Sequence, residues 1–271
     1  MAVCLVTGAS RGFGRLICER LAAGGHRVYA SMRSTTGAAA ELAQSCELLE
    51  LDVTDENAVV RGVRDVVERE GRLDVVVNNA GYVLWGPVEE TPVEQVQREF
   101  DVNVFGALRV VRAAVPVMRR QRSGVIVQMS SISGRVVAGP FWGHYAASKF
   151  ALEALSEALA YELRPFGVRV VIIEPGSYET TIWQSIELSS GLREGQSAYA
   201  DAHQRMSDVD EPWPLGDPTE VADAVVRAIE DETTNLRVLL GDDAAWYMEA
   251  NSKGDLEYQR LIWNLWKLPD G

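Results

Sequence analysis

The feature of this sequence that most constrains its fold is an alternation of short apolar runs with longer amphipathic segments. The runs are rich in Val, Ile and Leu and show little polar alternation, which is typical of strands covered on both faces. They lie at residues 2–6, 27–30, 47–51, 73–77, 125–129, 168–173 and 237–240. The pattern therefore predicts a parallel sheet of about seven strands, packed between two layers of helices.

Helical segments separate these runs, as the right-handed crossovers between parallel strands require. They are predicted at residues 14–23, 37–43, 55–70, 93–118, 145–163 and 218–230. Asp55 precedes one of them and is predicted to cap it. We expect one doubly wound α/β domain over residues 1–271, with a lid at 177–217 and a C-terminal helical extension at 242–271.

Composition limits the partners. The net charge of −13 disfavours nucleic acid and anionic membranes, because such a surface repels phosphate groups. No apolar stretch has membrane-spanning length, and the sequence opens on a strand-like run rather than a leader, so we expect a cytoplasmic protein. Three cysteines without metal-ligand spacing suit reduced thiols, and no metal site is predicted.

A glycine-rich turn follows the first apolar run and opens the first helix. Glycines allow a tight backbone turn, and the amides at a helix N-terminus attract phosphate oxygens. An ordinary turn between a strand and a helix is the alternative. The residues expected at a bound phosphate group are Gly8, Ser10, Arg11, Gly12, Phe13 and Gly14.

Two further strand ends carry candidate cofactor contacts. The second apolar run ends without the carboxylate that would bind a free ribose 2′-hydroxyl, and Arg33 can instead pair with a 2′-phosphate. A solvated surface arginine is the alternative for Arg33. After the fourth run, Asn79 can tie neighbouring strand ends together, while Ala80 and Gly81 leave room for a ribose. The missing carboxylate and Arg33 favour NADP(H) as the cofactor.

Tyr145 and Lys149 are four residues apart, so a helix places both side chains on one face. A phenol has a reference pKa of about 10. A neighbouring ammonium is expected to lower that pKa, which would let the phenol exchange protons with a carbonyl or alcohol oxygen. A pair on the helix surface is the alternative. His144, beside this tyrosine, is expected to be exposed to solvent.

Together these motifs resemble the short-chain dehydrogenase/reductase family in its shorter one-domain branch. The resemblance rests on T-G-x-x-x-G-x-G, on the Tyr145–Lys149 spacing and on Ser-x-x-Gly from Ser131, and it extends to about Gly241. It implies a Rossmann fold and an oxidoreductase that interconverts a ketone or aldehyde and an alcohol. It also implies a catalytic tetrad in which Asn103 and Ser131 join Tyr145 and Lys149.

The same resemblance assigns roles around the cofactor. Arg11 becomes a second cation at the 2′-phosphate, and Asp52 and Val53 contact the adenine, although a turn role for Asp52 is equally open. The residues implied at the nicotinamide are Pro175, Gly176 and Thr180. Tyr178 and Glu179 depart from the family pattern. Family members associate through the helices near Asn103 and Tyr145, which implies a homodimer or homotetramer.

The substrate is expected to be a hydrophobic carbonyl or alcohol, of steroid, retinoid or polyketide type. Apolar side chains of the lid and of the site's mouth are the candidates for its pocket, or for a small core of the lid itself. They are Val83, Trp85, Phe141, Trp142, Tyr178, Ile182, Trp183, Met206, Trp213 and Leu215. The alternative functions are a dinucleotide-binding sensor and a non-redox epimerase or dehydratase.

Overall fold

The computed structural model describes residues 1–36, 41–180, 186–209 and 213–268. In these residues the chain forms the predicted sheet of seven parallel strands with helices on both faces. The strands are β1 (Val3–Val6), β2 (Arg27–Met32), β3 (Glu47–Glu50), β4 (Val75–Asn78), β6 (Gly124–Met129), β7 (Val168–Pro175) and β9 (Arg237–Leu240). Two more strands, β5 (Leu84–Trp85) and β8 (Glu187–Leu188), pair with each other outside this sheet.

The strand order is β3-β2-β1-β4-β6-β7-β9, which confirms the doubly wound fold. The direction of winding reverses between β1 and β4, whose register pairs Cys4 with Val75 and Val6 with Val77. Ligands of doubly wound sheets bind at the carboxyl edge beside this reversal. One apolar core lies on each face of the sheet, and Cys4 is buried within the first core, as a small core residue.

Helices occupy most of the predicted segments. Their bounds are α1 (Gly12–Ala23), α2 (Glu56–Glu70), α3 (Val93–Phe100), α4 (Ala107–Gln121), α5 (Gly143–Leu163), α6 (Ser190–Arg193), α7 (Ala200–Ser207), α8 (Pro218–Glu230), α9 (Asp242–Ser252) and α10 (Asp255–Leu265). A π-helical turn, Asp101–Gly106, joins α3 to α4, where one continuous helix was predicted. No helix in the described ranges is long and apolar enough to span a membrane.

The helix predicted at 37–43 differs from the structure. Residues 37–40 lie outside the described ranges, and the segment that follows forms a short 3-10 turn at Leu42–Gln44. The lid prediction covers β8, α6 and α7, while the C-terminal extension consists of α9 and α10. Both segments pack against a third apolar cluster that includes Phe141, Met206 and Trp266.

Asp55 caps α2 as predicted. Its Oδ1 accepts hydrogen bonds from the backbone N–H groups of Asn57 at 2.8 Å and Ala58 at 3.1 Å. These two donors belong to the first turn of the helix and would otherwise have no partner within it. The cap therefore fixes where α2 begins.

We expect Asp55→Ala to lower the free energy of unfolding by about 1 kcal/mol, because two helix N–H groups lose their acceptor. Urea unfolding followed by circular dichroism measures this change. Asp65→Ala, at a half-exposed position of the same helix that is not a cap, is the matched control and should change it by less than about 0.5 kcal/mol. Equal losses in the two variants would contradict the capping role.

Candidate active site

The glycine-rich turn packs directly on the end of β4. Gly8 has φ +67°, and a Cβ atom there would lie 2.8 Å from the Ala80 Cα. Gly12 has φ +55°, which also favours glycine. A Cβ on Gly14 would overlap the Asn79 amide and the Gly8 carbonyl oxygen. The absence of side chains therefore leaves the turn open to a ligand. Gly14 allows the turn to pack closely on Asn79.

Asn79 ties β1 to β4 beside this turn. Its Nδ2 donates to the carbonyl oxygens of Thr7 at 2.9 Å and Gly8 at 3.1 Å. The Thr7 hydroxyl in turn accepts from the backbone N–H groups of Asn79 at 3.0 Å and Ala80 at 3.1 Å. These bonds hold the ends of β1 and β4 together at a fixed spacing beside the glycine-rich turn.

A cleft of about 630 Å³ runs from the glycine turn past the ends of β2 and β3. This volume lies within the range of roughly 300 to 1,000 Å³ that is usual for small-molecule sites. The predicted cofactor residues that line it are Gly8, Ser10, Arg11, Gly12, Phe13, Arg33, Asp52, Val53, Asn79, Ala80, Gly81 and Thr180. Gly14 does not line it.

Charge at the cleft suits a phosphorylated dinucleotide. Arg11 and Arg33 are exposed at its wall, and neither forms a salt bridge with another described residue. Arg11 also precedes α1 without a side-chain cap, so the first N–H groups of that helix remain available to an anion. Asp52 shows its turn role, because its Oδ1 accepts from the Thr54 N–H at 2.9 Å and hydroxyl at 2.8 Å. The residues present therefore fit a nicotinamide dinucleotide.

Asn103 lies in the π-helical turn and is only 1% exposed, so its side chain is buried rather than facing solvent. Its Nδ2 donates to the Tyr82 carbonyl oxygen at 2.9 Å and to the Ser148 hydroxyl at 3.1 Å. Its Oδ1 accepts from the Tyr82 N–H at 3.0 Å. Asn103 therefore fastens the segment after β4 to α5.

Ser131, Tyr145 and Lys149 meet at the carboxyl end of β6. The Ser131 hydroxyl lies close enough to the Tyr145 phenol to lower the pKa of that phenol. Ser131 Oγ also accepts from the Ser133 N–H at 3.1 Å and donates to the Pro175 carbonyl oxygen at 3.4 Å. Lys149 Nζ lies 5.6 Å from the centroid of the Tyr145 ring and donates to the Met129 carbonyl oxygen at 2.7 Å.

The expected lowering of the Tyr145 pKa is not found. Burial raises the pKa of this phenol above its usual value, and the neighbouring Ser131 hydroxyl only partly opposes that effect. The ammonium of Lys149 points at a backbone carbonyl rather than at the phenol oxygen, which explains the difference. Burial lowers the pKa of Lys149 to about 8, while the Glu99 and Glu153 carboxylates raise it. Tyr145 is therefore a neutral phenol at neutral pH.

A second cavity, of about 130 Å³, opens beside Tyr145. The predicted residues on its wall are Phe13, Asn79, Gly81, Val83, Ser131, Trp142, Tyr145, Lys149, Pro175, Gly176, Tyr178 and Thr180. Of the other pocket candidates, Trp85, Phe141, Met206 and Trp213 pack in the third apolar cluster instead, and Leu215 is exposed. Ile182 and Trp183 lie outside the described residues.

The C-terminal extension supplies wall residues that were not predicted. Asp243, Tyr247 and Trp266 line the second cavity. Trp266 Nε1 donates to the Ala138 carbonyl oxygen at 2.7 Å, and Asp243 Oδ2 accepts from the Ser177 N–H at 2.7 Å. The aromatic content of the tail was the available signal, but its contacts span more than sixty positions of sequence.

His144 is buried, at 8% exposure, so the expected solvent contact is wrong. Burial lowers its pKa, against the effect of a hydrogen bond with the Pro87 backbone. This residue lies in the first turn of α5, and its side chain packs inward. It therefore stays neutral at pH 7.

Comparison with known proteins agrees with this geometry. The family model described as short chain dehydrogenase matches residues 2–190. A 3-ketodihydrosphingosine reductase of Bacteroides thetaiotaomicron is 36% identical over 203 residues, which are 75% of this chain and 73% of that protein.

Two solved structures are similar over nearly their whole length. A short-chain dehydrogenase of Streptomyces avermitilis is 37% identical, with a TM-score of 0.83 over 98% of this chain and 96% of the other. One from Burkholderia cenocepacia, in complex with NADP, is 28% identical, with a TM-score of 0.76 over 99% and 98%.

Proposed function

The chain belongs to the short-chain dehydrogenase/reductase family of oxidoreductases, and we propose that it uses NADP(H) to interconvert a hydrophobic ketone or aldehyde and its alcohol. One observation carries the proposal. The Tyr145 phenol lies beside the Ser131 hydroxyl, packs against Lys149 and faces an apolar cavity that adjoins the dinucleotide cleft. A substrate oxygen placed there would meet a buried proton donor.

The chain's own residues can perform the proton transfer. When bound, reduced nicotinamide supplies the hydride that the carbonyl carbon accepts. The Ser131 hydroxyl orients the carbonyl oxygen by a hydrogen bond, and Tyr145 donates its phenolic proton to that oxygen as the alcohol forms. The Lys149 ammonium stabilises the resulting phenolate through its positive charge. In the reverse direction, the phenolate accepts the proton of the alcohol.

NADP(H) rather than NAD(H) is proposed because β2 ends without a carboxylate and two arginines flank the cleft. A guanidinium can bind the 2′-phosphate through two parallel hydrogen bonds. The Burkholderia cenocepacia relative carries NADP in its structure, which supports the same assignment.

A hydrophobic substrate is proposed from the wall of the second cavity. Aromatic side chains from three parts of the chain face it, namely Tyr82, Trp142 and Trp266. Its ionisable wall residues include Asp243 and Lys149, and no arginine of the described residues lines it. The Asp243 carboxyl group disfavours a strongly anionic substrate, and the Lys149 ammonium is already bonded to the Met129 carbonyl oxygen, whereas an apolar ketone would bury its surface.

We also propose a homodimer or homotetramer that associates through α4 and α5, without nucleic acid or membrane partners. Phe105 precedes α4, and Leu108, Phe150 and Leu155 lie on these helices; all four are exposed apolar side chains.

We also propose a cytoplasmic location. Cys4, Cys18 and Cys46 are free thiols, which supports a reducing compartment.

Oxidation of NADPH with a panel of apolar aliphatic, aromatic and polycyclic ketones tests the proposal directly. We expect turnover with part of the panel and little with ketones that carry carboxylates or phosphates. Tight NADPH binding without any turnover would favour a dinucleotide sensor. Cofactor that stays bound through a reaction without net redox change would favour an epimerase or dehydratase.

Tyr145→Phe should lower kcat by about 10²- to 10⁴-fold, because the variant lacks the proton donor. Its affinity for NADPH should stay within a few fold, which fluorescence titration measures. Tyr161→Phe is the matched control on the same helix, where the phenol is 67% exposed and bonded to Glu157. Near-normal turnover in the Tyr145 variant would contradict the assignment.

Arg33→Ala should weaken NADPH binding by about tenfold or more, because a charge-assisted hydrogen bond is lost. NADH lacks the 2′-phosphate, so its dissociation constant should change little. Arg20→Ala, outside the cleft and paired with Asp223, is the control. Equal losses for both cofactors would overturn the preference for NADP(H).

A further inference from the structure

Glu99 is a fully buried carboxyl group beside the proposed catalytic centre. It lies on α3, one helical turn before Asn103, and is 0% exposed. Its Oε1 accepts from the Leu84 N–H at 2.8 Å, whereas its Oε2 has no hydrogen-bond partner among the described residues. A buried carboxyl group with one unsatisfied oxygen costs stability unless a charge nearby compensates.

The group that compensates is Lys149. Residues of α3 pack against α5, and the Glu99 carboxylate interacts electrostatically with the Lys149 ammonium. Asn103, one turn along from Glu99, reaches the same space as the ammonium. A Cβ on Gly81 would lie 3.0 Å from Asn103 Oδ1 and 3.8 Å from Lys149 Nζ. Glu99 and Lys149 therefore lie on two packed helices, with Asn103, one turn from Glu99, beside the ammonium.

We propose that Glu99 is a positioning residue of the catalytic centre, whose buried carboxyl group keeps the Lys149 ammonium protonated at alkaline pH. Burial raises the pKa of Glu99 and lowers that of Lys149, in each case to about 8. Two such groups lose protons as a pair rather than independently. As the pH rises, the proton that leaves Glu99 creates a carboxylate, and this charge stabilises the ammonium.

Other groups near Glu99 and Lys149 also shift the pKa values of these two residues. Glu187 of β8 raises the pKa of Glu99, and the Leu84 N–H lowers it. Glu153, one turn further along α5, raises the pKa of Lys149 together with Glu99. Glu99 also raises the pKa of the Tyr145 phenol. Loss of the Glu99 charge should therefore lower the pKa of both Lys149 and Tyr145.

Glu99→Gln removes the charge while its amide oxygen can still accept the Leu84 N–H bond. The chain has three lysines, Lys149, Lys253 and Lys267, and the last two are exposed. Lysine labelled with ¹³C at Cε therefore gives a simple spectrum, in which Lys253→Arg and Lys267→Arg assign the signals. We expect the Lys149 titration midpoint in Glu99→Gln to fall by about one pH unit.

Glu90→Gln is the matched control. Glu90 also accepts a backbone N–H bond, from Ala198 at 2.9 Å, but the carboxylates that act on Lys149 are Glu99 and Glu153. Its substitution should leave the Lys149 midpoint unchanged. An unchanged midpoint in folded Glu99→Gln would overturn the proposal.

The unsubstituted protein supplies a second test, should Glu99→Gln not fold. Its Lys149 signal should respond to two ionisations, because the Glu99 titration changes the field at the lysine. A curve that fits a single ionisation would also overturn the proposal. Both measurements need no ketone, so their failure leaves the proposed reductase activity standing.

The effect of Glu99 on catalysis rests on the proposed ketone reduction. Reduction needs a protonated Tyr145 and a charged Lys149, and removal of the Glu99 charge favours proton loss from both. The alkaline limb of kcat/KM for ketone reduction should therefore lie about one pH unit lower in Glu99→Gln than in Glu90→Gln. Coincident limbs in the two variants would contradict this consequence.

Discussion

The parallel arrangement of the seven strands is the constraint on which the site depends. It brings the carboxyl ends of β1, β4, β6 and β7 to one edge of the sheet, although more than forty residues of sequence separate each of these ends from the next. The reversal of winding between β1 and β4 separates their following loops and opens a cleft. Asn79 fixes that opening through its bonds to the β1 end. The helix that follows β6 then brings Tyr145 to the same edge.

Burial governs the chemistry of the site. The dry environment that accommodates an apolar substrate also disfavours charge, so it keeps the Tyr145 phenol neutral and makes the Lys149 ammonium easier to deprotonate. A buried ammonium therefore needs acceptors and counter-charges, which the Met129 carbonyl oxygen and the carboxylates of Glu99 and Glu153 provide. The charge on Lys149 consequently depends on the groups that surround its ammonium.

The sequence predicted the strands and the tyrosine–lysine pair because both depend on local patterns. Strands buried on two faces leave continuous apolar runs, and a spacing of four residues fixes two side chains on one helix face. Glu99 was not predicted as a site residue, because the neighbouring Arg98 makes this part of the helix look solvent-exposed. The burial of Glu99 results from the packing of α3 against α5. The pair β5–β8 escaped prediction because two residues per strand give no periodicity. Asn103 was identified, but the π-helical turn that directs it inward has no local signature.

The C-terminal extension shows why side-chain orientation needs the fold. Asp243 and Trp266 could have belonged to a surface helix, yet each is bonded to the backbone of a loop that lines the second cavity. The Asp243 carboxylate fits only because Gly176 lacks a side chain, since a Cβ there would overlap it. Gly176 therefore has a structural requirement of its own, apart from any contact with nicotinamide. The wall of the substrate cavity and the loop expected beside the cofactor thus depend on the same tail, which links substrate shape to the geometry of that loop.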